Sequence, residues 1–163
     1  MNLPAHDYLE RLGIPYEKGS FPAETEKGAA NVAACFGFRA RQMVKTLIFE
    51  IDSGERILVL VGGDQNVVSG HLKKVAGSRN IQLASFEAVK QTTGYVVGSI
   101  PPFSWQVDGF RSFLDASLMQ ENILGVGAGV WGHEIFITPP NLVIASQARV
   151  VNLTDRDRSV IPV

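Results

Sequence analysis

Between Gln42 and Gly63 the apolar residues gather in two runs, QMVKTLIFEI and RILVLVGG, parted by the polar DSGE. β-Branched and aromatic residues at this density, around a short turn containing glycine, predict two strands joined as a hairpin. Upstream, LPAHDYLERLG places Pro4 at a first helical position and closes on Gly13, which predicts a short helix. IPYEKGSF follows as an extended segment with a turn. TEKGAANVAACFG sets small apolar residues at helical spacing, with Thr25 as the expected N-cap, Gly37 as the stop and the basic RAR beyond it. After the hairpin, Val68, Leu72 and Val75 mark a helix in VVSGHLKKVAG that ends at Gly77; IQLAS reads as a brief strand and FEAVKQTTG as another short helix. The loop GYVVGSIPPFSW comes next. GFRSFLDASL, NILGVGAG and HEIFITP then read as strands, and NLVIASQARVVNL as a terminal segment. No repeat, linker or low-complexity tract breaks this order, so residues 1–163 are expected to form one α+β domain with helices against a largely antiparallel or mixed sheet.

Composition narrows the function classes. An apolar fraction of 45% against 19% charged residues fits a folded domain with a real core. No apolar run reaches the roughly 18–20 residues of a membrane span, and the first residues lack a basic stretch followed by a long apolar one, so no membrane partner is expected. The single cysteine, Cys35, excludes an internal disulfide and a cysteine metal cluster and suits a reducing cytoplasm. On its small-residue helix Cys35 is expected to be a core thiol. A net charge of −1 argues against a broad nucleic-acid coat but leaves room for a local basic patch at one RNA end. His6, His71 and His133 show no metal-ligand spacing, and neither a metal nor a cofactor is expected.

Three features could carry chemistry. In the loop, Gly98 can take positive φ and admit another molecule close to the backbone, while Pro101 and Pro102 fix φ and remove two N–H groups, leaving a rigid ridge of carbonyls. A plain β-turn at a sheet edge explains the same letters. Lys45 shares a strand face with Met43 and Leu47, so a charge interrupts an apolar stripe. It either snorkels from an edge strand or points into a cleft to meet an anion. In GVGAGVWGHEIF, residues Gly127 to Gly132 match the letters of a dinucleotide fingerprint, but the following HEIFIT is strand-like and offers no helix N-terminus for a pyrophosphate. His133 beyond it can be an ordinary, partly buried histidine. No G-x-S-x-G or triad arrangement is present.

Taken together, VKTLIFE, TGYVVGSIPPF with FLDASL, and GAGVWGHEIFITPPNL resemble, in order and spacing, the YbaK/prolyl-tRNA-synthetase-associated editing domain family. LVGGDQNVVSGHLKKVAGSRNIQLASFEAVKQTTGY is similar to that family's middle, so the likeness runs from about Tyr8 to Asn152. The resemblance implies a curved mixed sheet with flanking helices, and hydrolysis of amino acids wrongly attached to tRNA by a free-standing, trans-acting domain. The partners it implies are the 3′-terminal aminoacyl adenosine of tRNA and an aminoacyl-tRNA synthetase. The family's pocket lysine falls on Lys45, next to Thr46. Its G-x-x-x-P loop falls on Gly98, Ser99, Ile100, Pro101 and Pro102, and its later glycine loop on Gly127 and Gly129. His133 and Glu134 follow, the latter at an acidic position of some members.

Such a site needs no strong nucleophile. An aminoacyl ester beside a ribose hydroxyl is already reactive, and the resemblance implies help from the substrate's own 2′-OH or thiol, with backbone groups positioning water and carbonyl. The chain departs from the family at Ser104, where glycine often follows the loop's aromatic, at Phe21 in GSFPAET, and at Glu134 in place of aspartate. These changes bear on the amino acid accepted; alanine, serine or cysteine is expected, with tRNA-Pro as a candidate carrier. A non-catalytic RNA- or nucleotide-binding relative and a synthetase-docking domain are the rival expectations.

Overall fold

The computed structural model describes residues 2–154. The helices are α1 (Pro4–Leu12), α2 (Ala29–Phe36), α3 (Ser69–Ala76), α4 (Phe86–Thr93) and α5 (Pro139–Ser146). The strands are β1 (Glu17–Ser20), β2 (Val44–Ile51), β3 (Arg56–Gly62), β4 (Ile81–Leu83), β5 (Ser112–Asp115), β6 (Leu124–Gly127), β7 (His133–Ile137) and β8 (Arg149–Val151). Five strands run in the order β4-β2-β3-β5-β8, antiparallel around β2 and parallel from β3 to β8. The other three, β1-β7-β6, form an antiparallel sheet. This is the α+β single domain with mixed sheet that the sequence predicts, but the strands divide into two sheets joined at a Met43–Gly125 bridge. A side chain on Gly125 would strike Met43 Cε at 2.5 Å, so the glycine lets Met43 cross the junction.

Strand alternation sorts the hairpin's side chains into two cores. Ile48, Leu58 and Leu60 pack with Leu114, Phe103 and Leu9, whereas Phe49, Ile57, Val59 and Val61 meet Leu72 and Ala76 of α3. A third cluster joins Phe21, Val32, Ala33, Met43 and Phe136 beneath α2. It packs α2 and the segment before it against the glycine loop, beside the mouth of the cleft described below.

Several local expectations are corrected. Thr25 does not cap a helix: it lies in a turn, its N–H donating to Pro22 O, and α2 begins only after Gly28 at φ 126°. The reason is tertiary, because Phe21 N donates to Gly132 O and Trp131 Nε1 to Ala23 O, which pins the chain outside helical geometry. In GFRSFLDASL only four residues are strand; the Asp115 carboxylate accepts from Ser117 N and starts a 3-10 turn at Ala116–Gln120. NLVIASQARVVNL is most of a helix begun by Pro139, followed by β8. Cys35 is exposed, since α2 buries Val32 and Ala33 instead. The expected domain over 1–163 includes residues 1 and 155–163, which lie outside the described residues.

Candidate active site

β4 pairs only with Phe49–Ile51, so the leading half of β2 has β3 on one side and no strand on the other. A cleft of about 260 Å³ opens along that stretch, bounded by Val44 to Leu47, the Gly98–Ile100 turn, Gly127 and Glu134. Lys45 therefore satisfies both readings of its sequence position: it stands on an open strand edge and it lines a cleft. Its ammonium makes no hydrogen bond or ion pair among the described residues. Burial lowers its pKa from the usual lysine value, opposed by the charge of Asp64. Next to it, Thr46 Oγ1 is buried without a hydrogen-bond partner among the described residues.

Glu134 is a further polar group on the cleft wall. β7 alternates so that Glu134 and Phe136 share one face while His133, Ile135 and Ile137 take the other. The carboxyl sits against the Gly125 backbone beside Met43, and only 8% of the residue is exposed. Burial alone pushes its pKa up to about 8, because no cation stands near enough to favour the carboxylate. At neutral pH this acid is mostly protonated and can donate as well as accept. His133 lies on the opposite face of β7 and does not line the cleft; its charge adds to burial and to Lys18 in lowering the pKa of His6.

The Gly98 turn is built as its letters predict. Gly98 has φ 104°, a conformation L side chains resist, and a Cβ there would meet only Lys27 Nζ, at 3.9 Å. Its backbone thus faces open cleft. Ser99 and Ile100 are buried; the Ser99 carbonyl accepts from Gly129 N at 2.8 Å, and Gly127 lies so close that a Cβ would stand 2.9 Å from Ile100 O. Gly129 itself packs under the Tyr95 ring. The glycine loop and the proline loop are thus locked together, with Gly127 on the cleft and Gly129 behind it.

Pro101 and Pro102 differ from expectation in one respect. Their carbonyls do not face a ligand: Trp105 Nε1 donates to Pro101 O at 2.6 Å and Gln106 Nε2 to Pro102 O at 2.9 Å. The prolines hold the turn from behind. Ser104, at the family's frequent glycine, has φ 85°. Phe21 is buried beside the mouth, edge-on to Trp131 with ring centroids 4.9 Å apart.

Sequence reasoning passed over Lys27 and Trp131, which line the mouth together, with Lys27 Nζ 3.9 Å from the Trp131 ring centroid. Trp131 was visible as an aromatic in a loop otherwise stripped of side chains. Lys27 carried no signal, because only the folded chain brings residue 27 to residue 131. Among the described residues no group of three or more metal-ligating side chains converges, and no helix is long and apolar enough to cross a membrane.

Known proteins share this architecture and sequence. The family model for the aminoacyl-tRNA editing domain matches residues 23–144. A proline–tRNA ligase of Maridesulfovibrio salexigens is 35% identical over 97 residues, which cover 60% of this chain and 16% of that enzyme. One from Bacillus cytotoxicus is 34% identical over 98 residues, again 16% of its length. A solved structure described as a candidate trans-editing enzyme for prolyl tRNA synthetase superposes with TM-score 0.84 at 25% identity, covering 94% of this chain and 98% of that one. A hypothetical protein of known structure shares the fold at TM-score 0.84 and 24% identity, covering 93% and 99%. With its cleft, its glycine turn and three quarters of its length inside the matched region, this chain belongs to the aminoacyl-tRNA editing domain family.

Proposed function

We propose that the protein hydrolyses the ester of mischarged aminoacyl-tRNA as a trans-editing deacylase acting in the cytoplasm. The observation that carries this reading is Lys45: an ammonium with no hydrogen bond or ion pair among the described residues, on an open strand edge and across a cleft from Gly98. A phosphate of the terminal nucleotide suits the ammonium, which offers a compact charge and three donors. The ester then lies between the Gly98 turn, Thr46 and Glu134. Backbone N–H groups of the turn stabilise developing negative charge on the carbonyl oxygen as water adds to the carbonyl carbon, assisted by the substrate's neighbouring ribose hydroxyl or a substrate thiol. The ester C–O bond then breaks, releasing the free amino acid and the ribose hydroxyl, which takes up the proton given by the water. Protonated Glu134 and the Thr46 hydroxyl are donors to the aminoacyl end. Phe21 and the buried Ile100 limit the room, which favours alanine, serine or cysteine over larger residues.

The test is Lys45→Ala, with deacylation and thermal melting measured on the same preparations. A charge-assisted hydrogen bond is worth roughly 1.5–3 kcal/mol, so kcat/KM should fall about ten- to a hundred-fold with the fold intact. Lys45→Arg should restore only part, because the broader guanidinium shifts the ester against Gly98. Unchanged turnover in a well-folded Lys45→Ala protein would leave the lysine a snorkelling edge residue and remove the active-site assignment.

A further inference from the structure

Lys27 and Trp131 form a second recognition point at the mouth of the cleft. The indole is fixed: Nε1 donates to Ala23 O at 3.1 Å, and its ring meets Phe21 edge to face. The Lys27 ammonium lies over the ring, 3.9 Å from its centroid. That same ammonium stands 3.9 Å from where a Cβ of Gly98 would be, so it bridges the two walls of the entrance. Lys27 is exposed and makes no ion pair among the described residues, although Glu24 and Glu26 lie on its own segment. The entrance therefore offers an aromatic face and a cation with no ion pair among the described residues, and a second cation, Lys45, lies farther in.

An aromatic face beside a cation is the chemistry that holds a single-stranded nucleotide: the base stacks and the ammonium takes the phosphate. We infer that Lys27 and Trp131 bind an RNA 3′ end by an exchange, in which a base takes the indole face and the ammonium turns to the phosphodiester on the 5′ side of the one held by Lys45. Gly28, at φ 126° directly after Lys27, sits where such a swing would pivot. The inference rests on the deacylase reading for the kind of RNA but not for the contact itself.

The chain has two tryptophans, and the other, Trp105, is bonded within the proline loop. Intrinsic fluorescence can therefore report on Trp131 while anisotropy of a dye-labelled, uncharged CCA trinucleotide reports binding. Wild-type protein should show quenching that tracks the anisotropy and disappears in Trp131→Phe. Lys27→Ala, a surface change that spares the fold, should weaken binding roughly tenfold and lower the slope of log Kd against log salt by about 0.7, the loss of one single-strand phosphate contact. Trinucleotide binding with unchanged Trp131 emission, or a Lys27→Ala salt slope equal to wild type, would overturn the inference while leaving ester hydrolysis standing. Quenching and a shifted slope in a protein that hydrolyses no ester would keep the contact and discard the deacylase reading. Absence of any trinucleotide binding overturns the contact outright.

Discussion

Glu134 keeps its proton to about pH 8 because it is buried beside Met43 and Gly125 with no cation to offset the burial. In an unfolded chain the same carboxyl loses its proton near 4.5. Between those values the folded state holds a proton that the unfolded state lacks, so this group makes stability fall as pH rises across that window. Glu134→Gln should remove that dependence. Melting temperatures of the two proteins should converge near pH 4–5 and separate by pH 8–9, with the variant more stable there by an amount on the order of a few kcal/mol. Parallel melting curves at all pH values would show that the carboxyl is ionised and solvated. Ser104 gives a second test. Its φ of 85° is strained for a residue with a Cβ, and Ser104→Gly should raise stability by about 0.5–1 kcal/mol in chemical denaturation. Both positions stood out in the sequence as departures from the family. The sequence did not show the cause of Glu134's state, because Met43, which helps to bury it, comes from a distant stretch of the chain.

At the scale of elements, the proline loop and the glycine loop act as one unit, and two glycines in it have different jobs. Gly98 faces open cleft, so Gly98→Val should lower turnover on the order of 10²-fold by displacing a backbone donor while changing the melting temperature little. Gly127 is pressed against Ser99 and Ile100, and Gly127→Ala should destabilise the protein by roughly 1–3 kcal/mol before any effect on turnover is considered. Equal losses of stability in the two variants would contradict the distinction. The hairpin, α1, α3 and α4 were legible from periodicity and glycine stops, local signals. The start of α2 was not. Thr25 has the chemistry of a cap, but the bonds from Phe21 and Trp131 hold the preceding segment in a turn, and tertiary contacts override the local preference. The same applies to β5, where Asp115 also accepts from Leu153 N and so answers to the end of the chain rather than to its own strand.

Over the whole molecule, the division into two sheets makes the cleft. β2 has its outer partner only from Phe49 onward, and before that residue it presents Lys45 and Thr46 where the β6–β7 hairpin brings Glu134 alongside. A run of apolar strands can announce a sheet but cannot say where the sheet will part, since that depends on how Met43 packs over Gly125. Every group the proposed chemistry requires then belongs to this one chain and its substrate. Hydrolysis should accordingly occur without a synthetase present, although the relatives carry the matching stretch within much longer ligases. The direct measurement is ester loss from a panel of tRNAs charged with alanine, serine, cysteine, proline or phenylalanine, incubated with the purified protein alone. At least one small aminoacyl ester should be cleaved well above its spontaneous rate, with prolyl- and phenylalanyl-tRNA spared. Spontaneous rates for every ester, or preferential cleavage of the phenylalanyl ester, would contradict the account.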